Sequence, residues 1–273
     1  MLVLITDLDG TLLDESYSFE KALPALRELR DRRIPLVFCT SKSSAEVEAI
    51  RLELDNTHPF IVENGGALCI PESHFPLPIN AAKRRDGYAV IEFGSPYPEI
   101  VESLRTAAEE SDCLVRGFSQ MTVEEVSEMC KMPINAALKA KQREYDEPFQ
   151  ILSGDSRRLF DSILKQKRRW TRGNRFYHIL GANDKGHCVI LLRHFYERIY
   201  PSVVFVGVGD GLNDAGFLNL VDIPLLLESD EIGELRRAVP NGRLCAGGPR
   251  GWNNSVLDVI QTCGTEAPDP LKQ

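Results

Sequence analysis

Short apolar runs without alternation mark candidate strands near the start of the chain. Two of them are Leu2–Thr6 and Ile34–Cys39, and between them Leu23, Leu26 and Leu29 recur at helical spacing. Strands that are covered on both faces lose the alternation of apolar and polar positions that a half-exposed strand shows. The pattern therefore predicts a β-α-β unit in a parallel sheet.

A helix and a hairpin are predicted to follow. Ser43 and Glu46 have the spacing of a capping box, and Val47, Ile50 and Leu54 give the helix after it an apolar stripe. The apolar stretches 60–63 and 67–70 flank the turn Asn64-Gly65-Gly66, a pattern typical of a hairpin.

The alternation of apolar strands and amphipathic helices returns near the C-terminal end. We expect Asn183 to cap a helix that runs to about Tyr200, with the apolar strands 203–207 and 223–227 after it. A glycine-rich turn, 207–211, separates these strands, and the residues beyond Gly264 are expected to form a frayed tail.

The middle of the chain has a different pattern. Stretches 88–93, 113–118 and 149–152 are candidate strands, the first two alternating as half-exposed strands do, and helices are predicted at about 97–111, 122–130, 133–142 and 155–168. Strands covered on one face by helices form an α+β layer. We therefore predict an α/β core with a Rossmann-like parallel sheet, residues 1–85 and 178–273, and an inserted α+β domain, residues 86–177.

Composition narrows the function classes. The 273 residues carry a net charge of −8, which argues against a nucleic-acid-binding protein because such proteins need positive charge against phosphate. We find no apolar run long enough for a membrane span and no basic leader before Asp7. The seven cysteines are scattered singly, which favours a reducing, cytoplasmic location. A monomer and a homodimer both remain open.

The first candidate motif is Asp7-Leu8-Asp9-Gly10-Thr11-Leu12, directly after the first strand. Ligands of open parallel sheets bind at the carboxyl ends of the strands. Two carboxylates at this edge can converge on one cation and one phosphorus atom, since Mg²⁺ prefers carboxylate oxygens and an aspartate can act as a nucleophile. The alternative is a turn with capping aspartates.

Two weaker signals lie farther along. Thr40-Ser41 follows the second strand, where a hydroxyl and a backbone N–H can hold a phosphoryl oxygen, although such residues also cap helices. Lys185 lies in the first turn of a predicted helix, near the positive end of the helix dipole. A positive charge is slightly unfavourable at this end of a helix, which points to an anionic partner for Lys185.

The fourth motif is Gly209-Asp210-Gly211-Leu212-Asn213-Asp214, after another apolar strand. Its glycines allow a tight turn, and Asp210, Asp214 and Asn213 supply oxygen ligands and hydrogen bonds. A calcium loop would need a longer run of alternating acids, and a plain turn is the remaining alternative.

The four motifs, in this chain order, resemble those of the haloacid dehalogenase-like phosphatase superfamily, and the inserted layer resembles its type IIB cap. The resemblance implies that Asp7 attacks phosphorus and that Asp9 acts as acid and then as base. It implies Mg²⁺ held by Asp7, the Asp9 carbonyl and Asp210, with Asp214 nearby. Thr40, Ser41, Lys185 and Asn213 would hold the phosphoryl oxygens.

Several segments resemble one branch, the mannosyl-3-phosphoglycerate phosphatases, which implies a small anionic sugar phosphate as substrate. They are Thr40-Ser41-Lys42-Ser43, Glu63-Asn64-Gly65-Gly66, Arg143-Glu144-Tyr145-Asp146-Glu147-Pro148-Phe149, Arg175-Phe176-Tyr177-His178 and Gly251-Trp252-Asn253. One departure is Arg33, where relatives commonly have a glycine at a helix end. The glucosyl counterpart, another sugar phosphate, a phosphomutase reaction and a non-catalytic sensor remain alternatives.

The resemblance makes five inserted-domain or boundary residues candidates for substrate contact: Arg143, Glu144, Asp146, Arg175 and His178. Arginine binds carboxylates with two hydrogen bonds, and acidic side chains accept bonds from sugar hydroxyls. Asn64, Gly65 and Gly66 would shape a hinge or the pocket floor. Alternatively, Arg143 and Glu144 form a surface ion pair and His178 is structural. The basic run from Lys165 to Arg175 is interpreted as a solvated helix face.

Overall fold

The computed structural model describes residues 1–79, 83–173 and 175–263, so the predicted frayed tail beyond Gly264 lies outside the described residues. The strands are β1 (Leu2–Thr6), β2 (Leu36–Cys39), β3 (Phe60–Val62), β4 (Ala67–Pro71), β5 (Lys83–Arg85), β6 (Tyr88–Glu92), β7 (Leu114–Gly117), β8 (Asp146–Ser153), β9 (Arg169–Arg172), β10 (Tyr177–Leu180), β11 (Val204–Gly209), β12 (Ile223–Leu227) and β13 (Arg243–Cys245). The α-helices are α1 (Leu23–Asp31), α2 (Ser44–Glu53), α3 (Tyr97–Ser111), α4 (Val123–Cys130), α5 (Ile134–Ala140), α6 (Ser156–Lys165), α7 (Lys185–Glu197), α8 (Ala215–Leu218), α9 (Ile232–Ala238) and α10 (Gly248–Cys263).

A large mixed sheet forms the core, in the order β13-β12-β11-β1-β2-β3-β4-β6-β5. The strands from β13 to β3 run parallel, and β4, β6 and β5 continue the sheet in antiparallel pairs. The predicted α/β core is therefore confirmed. The central strand β1 pairs with β11 on one side and with β2 on the other, which brings the carboxyl ends of all three to one edge.

Helices cover both faces of this sheet. Alternate residues of β1 enter different apolar clusters: Leu2 and Leu4 pack with α1 and α10, whereas Val3 and Ile5 pack with α7. Burial on both faces explains why β1 reads as an uninterrupted apolar run. The same two-sided burial fixes where the loops after β1, β2 and β11 emerge.

A second, smaller sheet has the order β7-β8-β10-β9, with every pairing antiparallel. Helices α3 and α6 pack on one face, where Ile100, Leu104, Leu159 and Ile163 meet Phe149 and Ile179. This is the predicted inserted α+β layer, and we call it the cap. The smaller helices α4 and α5 form a separate apolar cluster with Phe118 and Phe176.

The sheets place the domain limits a few residues away from the predicted ones. The strand predicted at 88–93 forms β6, which pairs with β4 in the large sheet and not in the cap. Conversely, β10 pairs with β8, so residues 177–180 belong to the cap sheet. Alternation shows that a strand has one exposed face, but it carries no information on which sheet the strand joins.

Two local predictions are wrong. The cap of α7 is Asp184, not Asn183, because Asp184 Oδ1 accepts the N–H groups of Gly186 at 2.9 Å and His187 at 3.2 Å. The basic run does not continue as a helix face: α6 ends at Lys165, Lys167 has a left-handed φ of 60°, and β9 follows as an edge strand. Among the described helices, none combines the length and apolar character that crossing a bilayer requires.

Candidate active site

The residues of the four motifs meet at the carboxyl edge of the large sheet. Asp7, Thr40 and Asp210 each follow directly on a strand, namely β1, β2 and β11. Lys185 is the first residue of α7, which places its side chain under the same edge. Parallel strands that are neighbours end at one edge, so residues far apart in the chain become neighbours in space.

Three carboxylates form the centre of the site. Asp7, Asp210 and Asp214 are buried, and each offers an oxygen such that all three oxygens lie within 4.8 Å of one another. The ammonium group of Lys185 lies 2.7 Å from Asp7 Oδ1 and 2.6 Å from Asp214 Oδ1. Lys185 is only 1% exposed, so both contacts are made away from water.

The loop after β11 is held by its own backbone. Asp214 Oδ2 accepts the N–H groups of Asp210 and Gly211, each at 3.1 Å. The hydroxyl of Thr11 donates to Asp210 Oδ1 at 2.8 Å and so joins this loop to the loop after β1. These bonds fix the orientation of two carboxylates before any ligand binds.

Electrostatics at this centre favour a divalent cation. Burial raises the pKa of Asp7 well above its usual range, with the Asp214 and Asp210 charges adding to the effect against Lys185. Burial and the Asp214 charge raise the pKa of Asp210 to about 7. Three ionised carboxylates and one ammonium group leave a net charge of two negatives, which a divalent ion would neutralise. Oxygen donors of this kind fit Mg²⁺.

Asp9 lies apart from this trio. Its carboxylate contacts Lys42, with Asp9 Oδ2 2.8 Å from Lys42 Nζ, and about a third of the Asp9 side chain is exposed. Lys42 itself is buried and also lies 3.5 Å from Glu46 Oε1. The Asp9 side chain is therefore a more exposed part of the site than the buried trio, and we call this exposed part the mouth.

Thr40 and Ser41 lie at the start of the loop after β2. Thr40 is fully buried, and its hydroxyl accepts the N–H of Lys42 at 3.2 Å. Ser41 is half-buried, and its carbonyl accepts a hydrogen bond from the Arg143 guanidinium at 2.9 Å. The segment predicted to bind phosphoryl oxygens is thus held from the cap side.

A chain of hydrogen bonds runs from the core to the cap. Asn213 Nδ2 donates to Asn64 Oδ1 at 3.2 Å, and Asn64 Nδ2 donates to Asp146 Oδ2 at 2.9 Å. His178 Nδ1 lies 3.1 Å from the same Asp146 oxygen. Burial, with Arg143 and Lys185 nearby, lowers the pKa of His178 to about 3. We assign the proton of this neutral ring to Nδ1 because a carboxylate only accepts, which leaves Nε2 as an acceptor.

Glu63 joins the cap to the hairpin of β3 and β4. It is fully buried, and its carboxylate accepts the N–H groups of Glu144, Tyr145 and Asp146 at 2.7 to 3.0 Å. Glu63 and Asn64 both have left-handed backbone angles, with φ of 48° and 54°. Two consecutive strained residues persist only where the surroundings hold them, as these contacts do.

The two glycines of this turn allow close approach. A Cβ on Gly65 would lie 2.1 Å from the carbonyl oxygen of Asp184, at the start of α7. A Cβ on Gly66 would lie 2.4 Å from Cβ of Tyr145 in the cap. Gly65 and Gly66 therefore pack the turn against α7 and against the cap, and their role as a hinge or pocket floor stays a prediction.

Two of the residues predicted to contact the substrate, Arg143 and Glu144, have different surroundings. Arg143 is buried in an ion pair with Asp146 and lies 3.7 Å from Glu63, so the predicted pairing of Arg143 with Glu144 does not occur. Glu144 forms a two-pronged pair with Arg85 at the far edge of the large sheet. The structure does not bring Glu144 to the site.

Arg175 lies at the mouth of the site, on the cap side. Its guanidinium donates to the Tyr17 hydroxyl at 3.0 Å and to the carbonyl of Cys130. Lys42 and Arg175 both contact the Tyr17 ring, with charged centres 4.8 and 5.7 Å from its centroid. Tyr17 therefore carries two cations next to Asp9.

Comparison with known proteins identifies the family. Residues 4–86 match the family of haloacid dehalogenase-like hydrolases. A glucosyl-3-phosphoglycerate/mannosyl-3-phosphoglycerate phosphatase from Methanococcoides burtonii is 38% identical over 269 residues, covering 94% of this chain and 97% of that protein. The chain belongs to the haloacid dehalogenase-like hydrolases. A protein of the same name from Persephonella marina is 36% identical, covering 95% and 97% of the two chains.

Solved structures of haloacid dehalogenase-like hydrolases share the whole fold, cap included. A subclass IIB sugar phosphatase superposes with a TM-score of 0.64 at 15% identity, covering 97% of this chain and 99% of that one. The sucrose-phosphatase from Synechocystis, solved with sucrose and phosphate, gives 0.61 at 15% identity, covering 96% and 97%. These likenesses bear out the predicted fold, an α/β core with an inserted α+β cap.

Sequence reasoning missed three residues of this haloacid dehalogenase-like site. Thr11 belongs to the first motif but had been given no role, and Lys42 and Glu63 were quoted only as parts of resembling segments. A lysine directly after Thr40-Ser41 carries a weak signal, since it would lie at the same sheet edge. Glu63 carries none, because its partners are 81 to 83 residues away in the chain.

Proposed function

We propose that this hydrolase is a Mg²⁺-dependent phosphatase that removes the phosphate of mannosyl-3-phosphoglycerate, or of its glucosyl counterpart, and releases the glycosylglycerate. The observation that carries the proposal is the contact of Asp7 with Lys185 inside a buried group of three carboxylates. The names of the relatives that match nearly the whole chain support the substrate. The printed names include both sugars, so both substrates belong to the proposal.

Asp7 is the proposed nucleophile. Its free carboxylate oxygen attacks phosphorus in line and forms an aspartyl-phosphate while the ester P–O bond breaks. Asp9, at the mouth of the site, gives its proton to the departing alkoxide. In the second step Asp9 takes a proton from water, the water oxygen bonds to phosphorus, and the Asp7 carboxylate is released.

The remaining core residues hold the phosphoryl group. Lys185 places a buried positive charge beside Asp7, where it stabilises charge on the transferred oxygens. Thr40, Ser41 and Asn213 supply further donors around the same position. Asp7, Asp210 and the Asp9 carbonyl, with Asp214 nearby, would hold a divalent ion, which would supply electrostatic stabilisation of the phosphate when bound.

The cap is proposed to recognise the sugar. Cap residue His178 pairs with Thr171 and Pro148 across the sheet, so the three side chains share one sheet face. The acceptor Nε2 of the neutral His178 ring suits a sugar hydroxyl. Asp146 acts by orienting His178 and Asn64, and Arg143 by holding the Ser41 carbonyl.

A cytoplasmic location is part of the proposal, and the cysteines support it. All seven are free, and five of them are buried. Free thiols throughout a chain support the expected cytoplasmic, reducing environment.

A substrate panel tests the function. Release of inorganic phosphate would be measured from mannosyl- and glucosyl-3-phosphoglycerate, sucrose 6-phosphate and glucose 6-phosphate, with Mg²⁺ and with EDTA. We expect the two glycosyl-phosphoglycerates to have a kcat/KM at least about tenfold above the others, and EDTA to abolish turnover. Transfer of phosphate between sugars without release would indicate a mutase. Binding without any turnover would indicate a sensor, and either result would refute the proposal.

A further inference from the structure

Lys42 is a buried cation with no role in the chemistry described so far. It is 6% exposed, and its ammonium group lies 2.8 Å from Asp9 Oδ2 and over the Tyr17 ring. Its other acidic neighbour, Glu46, lies farther away: Glu46 Oε1 is 3.5 Å from the ammonium group, while Glu46 Oε2 accepts the Ser43 N–H at 2.9 Å. Asp9 is therefore the main anionic partner of Lys42.

This pairing has to change when a substrate binds. Asp9 must turn its carboxyl group to the ester oxygen in order to protonate the leaving alkoxide, and the same group is the one that contacts Lys42. A buried ammonium group that loses its partner is costly unless another acceptor replaces it. Glu46 stays 3.5 Å from the ammonium group, so the acceptor whose place a substrate group would take is the closer one, Asp9.

The proposed substrate has a suitable group at a suitable place. Its glycerate carboxylate is separated from the ester oxygen by two carbon atoms, so it lies close to wherever Asp9 acts. We propose that Lys42 binds this carboxylate when Asp9 engages the ester oxygen, which makes Lys42 the residue that selects phosphoglycerate esters. The inference rests on the proposed function and adds the specificity determinant to it.

Neighbouring arginines are less available. Arg143 is paired with Asp146 and donates to the Ser41 carbonyl. Arg175 donates to the Tyr17 hydroxyl and to the Cys130 carbonyl. Lys42 has three donors, and once Asp9 turns away, only Glu46 at 3.5 Å and the Tyr17 ring still face its charge.

Kinetics of Lys42→Gln test the proposal. The ratio of kcat/KM for mannosyl-3-phosphoglycerate to that for glycerol 3-phosphate, an alkyl ester that also needs a proton from Asp9 but has no carboxylate, should fall about 10- to 100-fold, mainly through KM. Lys42→Arg should recover part of the ratio. Lys165→Gln, on the exposed face of α6, should leave it unchanged. An equal loss on both substrates would make Lys42 only a positioning residue for Asp9 and would overturn the proposal.

A binding measurement separates this inference from the function itself. In the Asp7→Asn background, calorimetry should show 3-phosphoglycerate binding at least about tenfold more tightly than glycerol 3-phosphate, and adding Lys42→Gln should erase the difference. If no ester is hydrolysed, the function fails while the binding ratio still tests Lys42. A difference that survives in the double variant overturns the inference. Lys42→Met, which keeps the stem against Tyr17, serves if the glutamine variant does not fold.

Discussion

The ammonium group of Lys185 lies 2.7 Å from Asp7 Oδ1, although 178 residues separate the two in the chain. Burial lowers the pKa of Lys185, but the Asp214 and Asp7 charges outweigh it and hold that pKa above its usual range. The lysine therefore stays charged next to the proposed nucleophile. Removing the Lys185 charge would leave the Asp7 and Asp214 carboxylates buried without a cation partner.

Asp210→Asn tests the charge balance of the acidic trio. The substitution keeps the oxygen that accepts the Thr11 hydroxyl but removes one of three mutually repelling carboxylates. Without metal at pH 8, we expect the free energy of unfolding to rise by about 1 to 3 kcal/mol, because the repulsion among the three carboxylates is reduced. Such gains are common at active sites, where residues needed for activity destabilise the fold. The stabilisation by added Mg²⁺ should disappear.

Urea unfolding in EDTA and in Mg²⁺ checks both expectations for Asp210→Asn. Asp161→Asn, which lies exposed on α6, is the matched control and should behave as wild type in both media. An Asp210→Asn protein that is less stable than wild type in EDTA, or that still gains stability from Mg²⁺, would contradict the charge balance.

Glu63 predicts a pH dependence of stability. Burial raises the pKa of Glu63 to about 7 in the folded protein, against Arg143 and the backbone donors of Tyr145 and Glu144. A carboxyl group whose folded pKa is raised contributes stability that is complete below its unfolded pKa, near 4.3, and is lost as the pH rises through 7. Glu63→Gln cannot ionise, so the unfolding free energy of wild type relative to this variant should fall by about 1 to 3 kcal/mol between pH 4.5 and pH 8.

The measurement for Glu63 is urea unfolding of both proteins in EDTA at several pH values. Differences between wild type and Glu63→Gln cancel the contributions of Asp7 and Asp210, which titrate in both. A difference that stays constant over this range would show that Glu63 does not titrate as described.

Asn64 and Asp146 should act as one unit. The bond between them is 2.9 Å long and buried, and it joins the core turn to the cap. We expect Asn64→Ala and Asp146→Ala each to lower kcat/KM about 10- to 100-fold, and the double variant to lose clearly less than the product of the two. Independent, multiplying losses would contradict the link. Steady-state kinetics of the four proteins complete the cycle.

Arg33→Gly should stabilise the protein. Arg33 is exposed beyond the end of α1 and has a left-handed φ of 55°, which costs a residue with a side chain about 1 kcal/mol relative to glycine. The unfolding free energy should rise by about that amount with activity unchanged. Arg30→Gly, exposed inside α1, should lower it by about 1 kcal/mol. Equal effects of the two substitutions would refute the backbone argument.

The centre of the site can be predicted from the sequence because three of its polar residues directly follow strands of the parallel sheet. Apolar runs locate β1, β2 and β11, and a parallel sheet brings the polar residues after each strand to one edge. Asp7, Thr40 and Asp210 therefore lie where the motifs predict. Lys185 lies beside Asp7 because α7 begins at the same edge of the sheet.

Contacts between the core and the cap could not be predicted in this way. Asn64 meets Asp146 and Glu63 meets the segment after Arg143 only because the inserted domain folds back onto the hairpin. The spacing of residues along the chain does not show which cap residues will contact the hairpin. Strand β9 was missed because its arginines read as a solvated helix face, whereas an exposed edge strand tolerates the same charges.

Identification of the phosphorylated residue tests the central claim most directly. The enzyme would be quenched in acid during turnover, treated with borohydride, which reduces an aspartyl-phosphate to homoserine, and mapped by mass spectrometry. We predict homoserine at position 7 in the wild-type protein and no such conversion in Asp7→Asn, which should also lose at least about a thousandfold in phosphate release. Conversion at another residue, or rapid phosphate release by Asp7→Asn, would contradict the account.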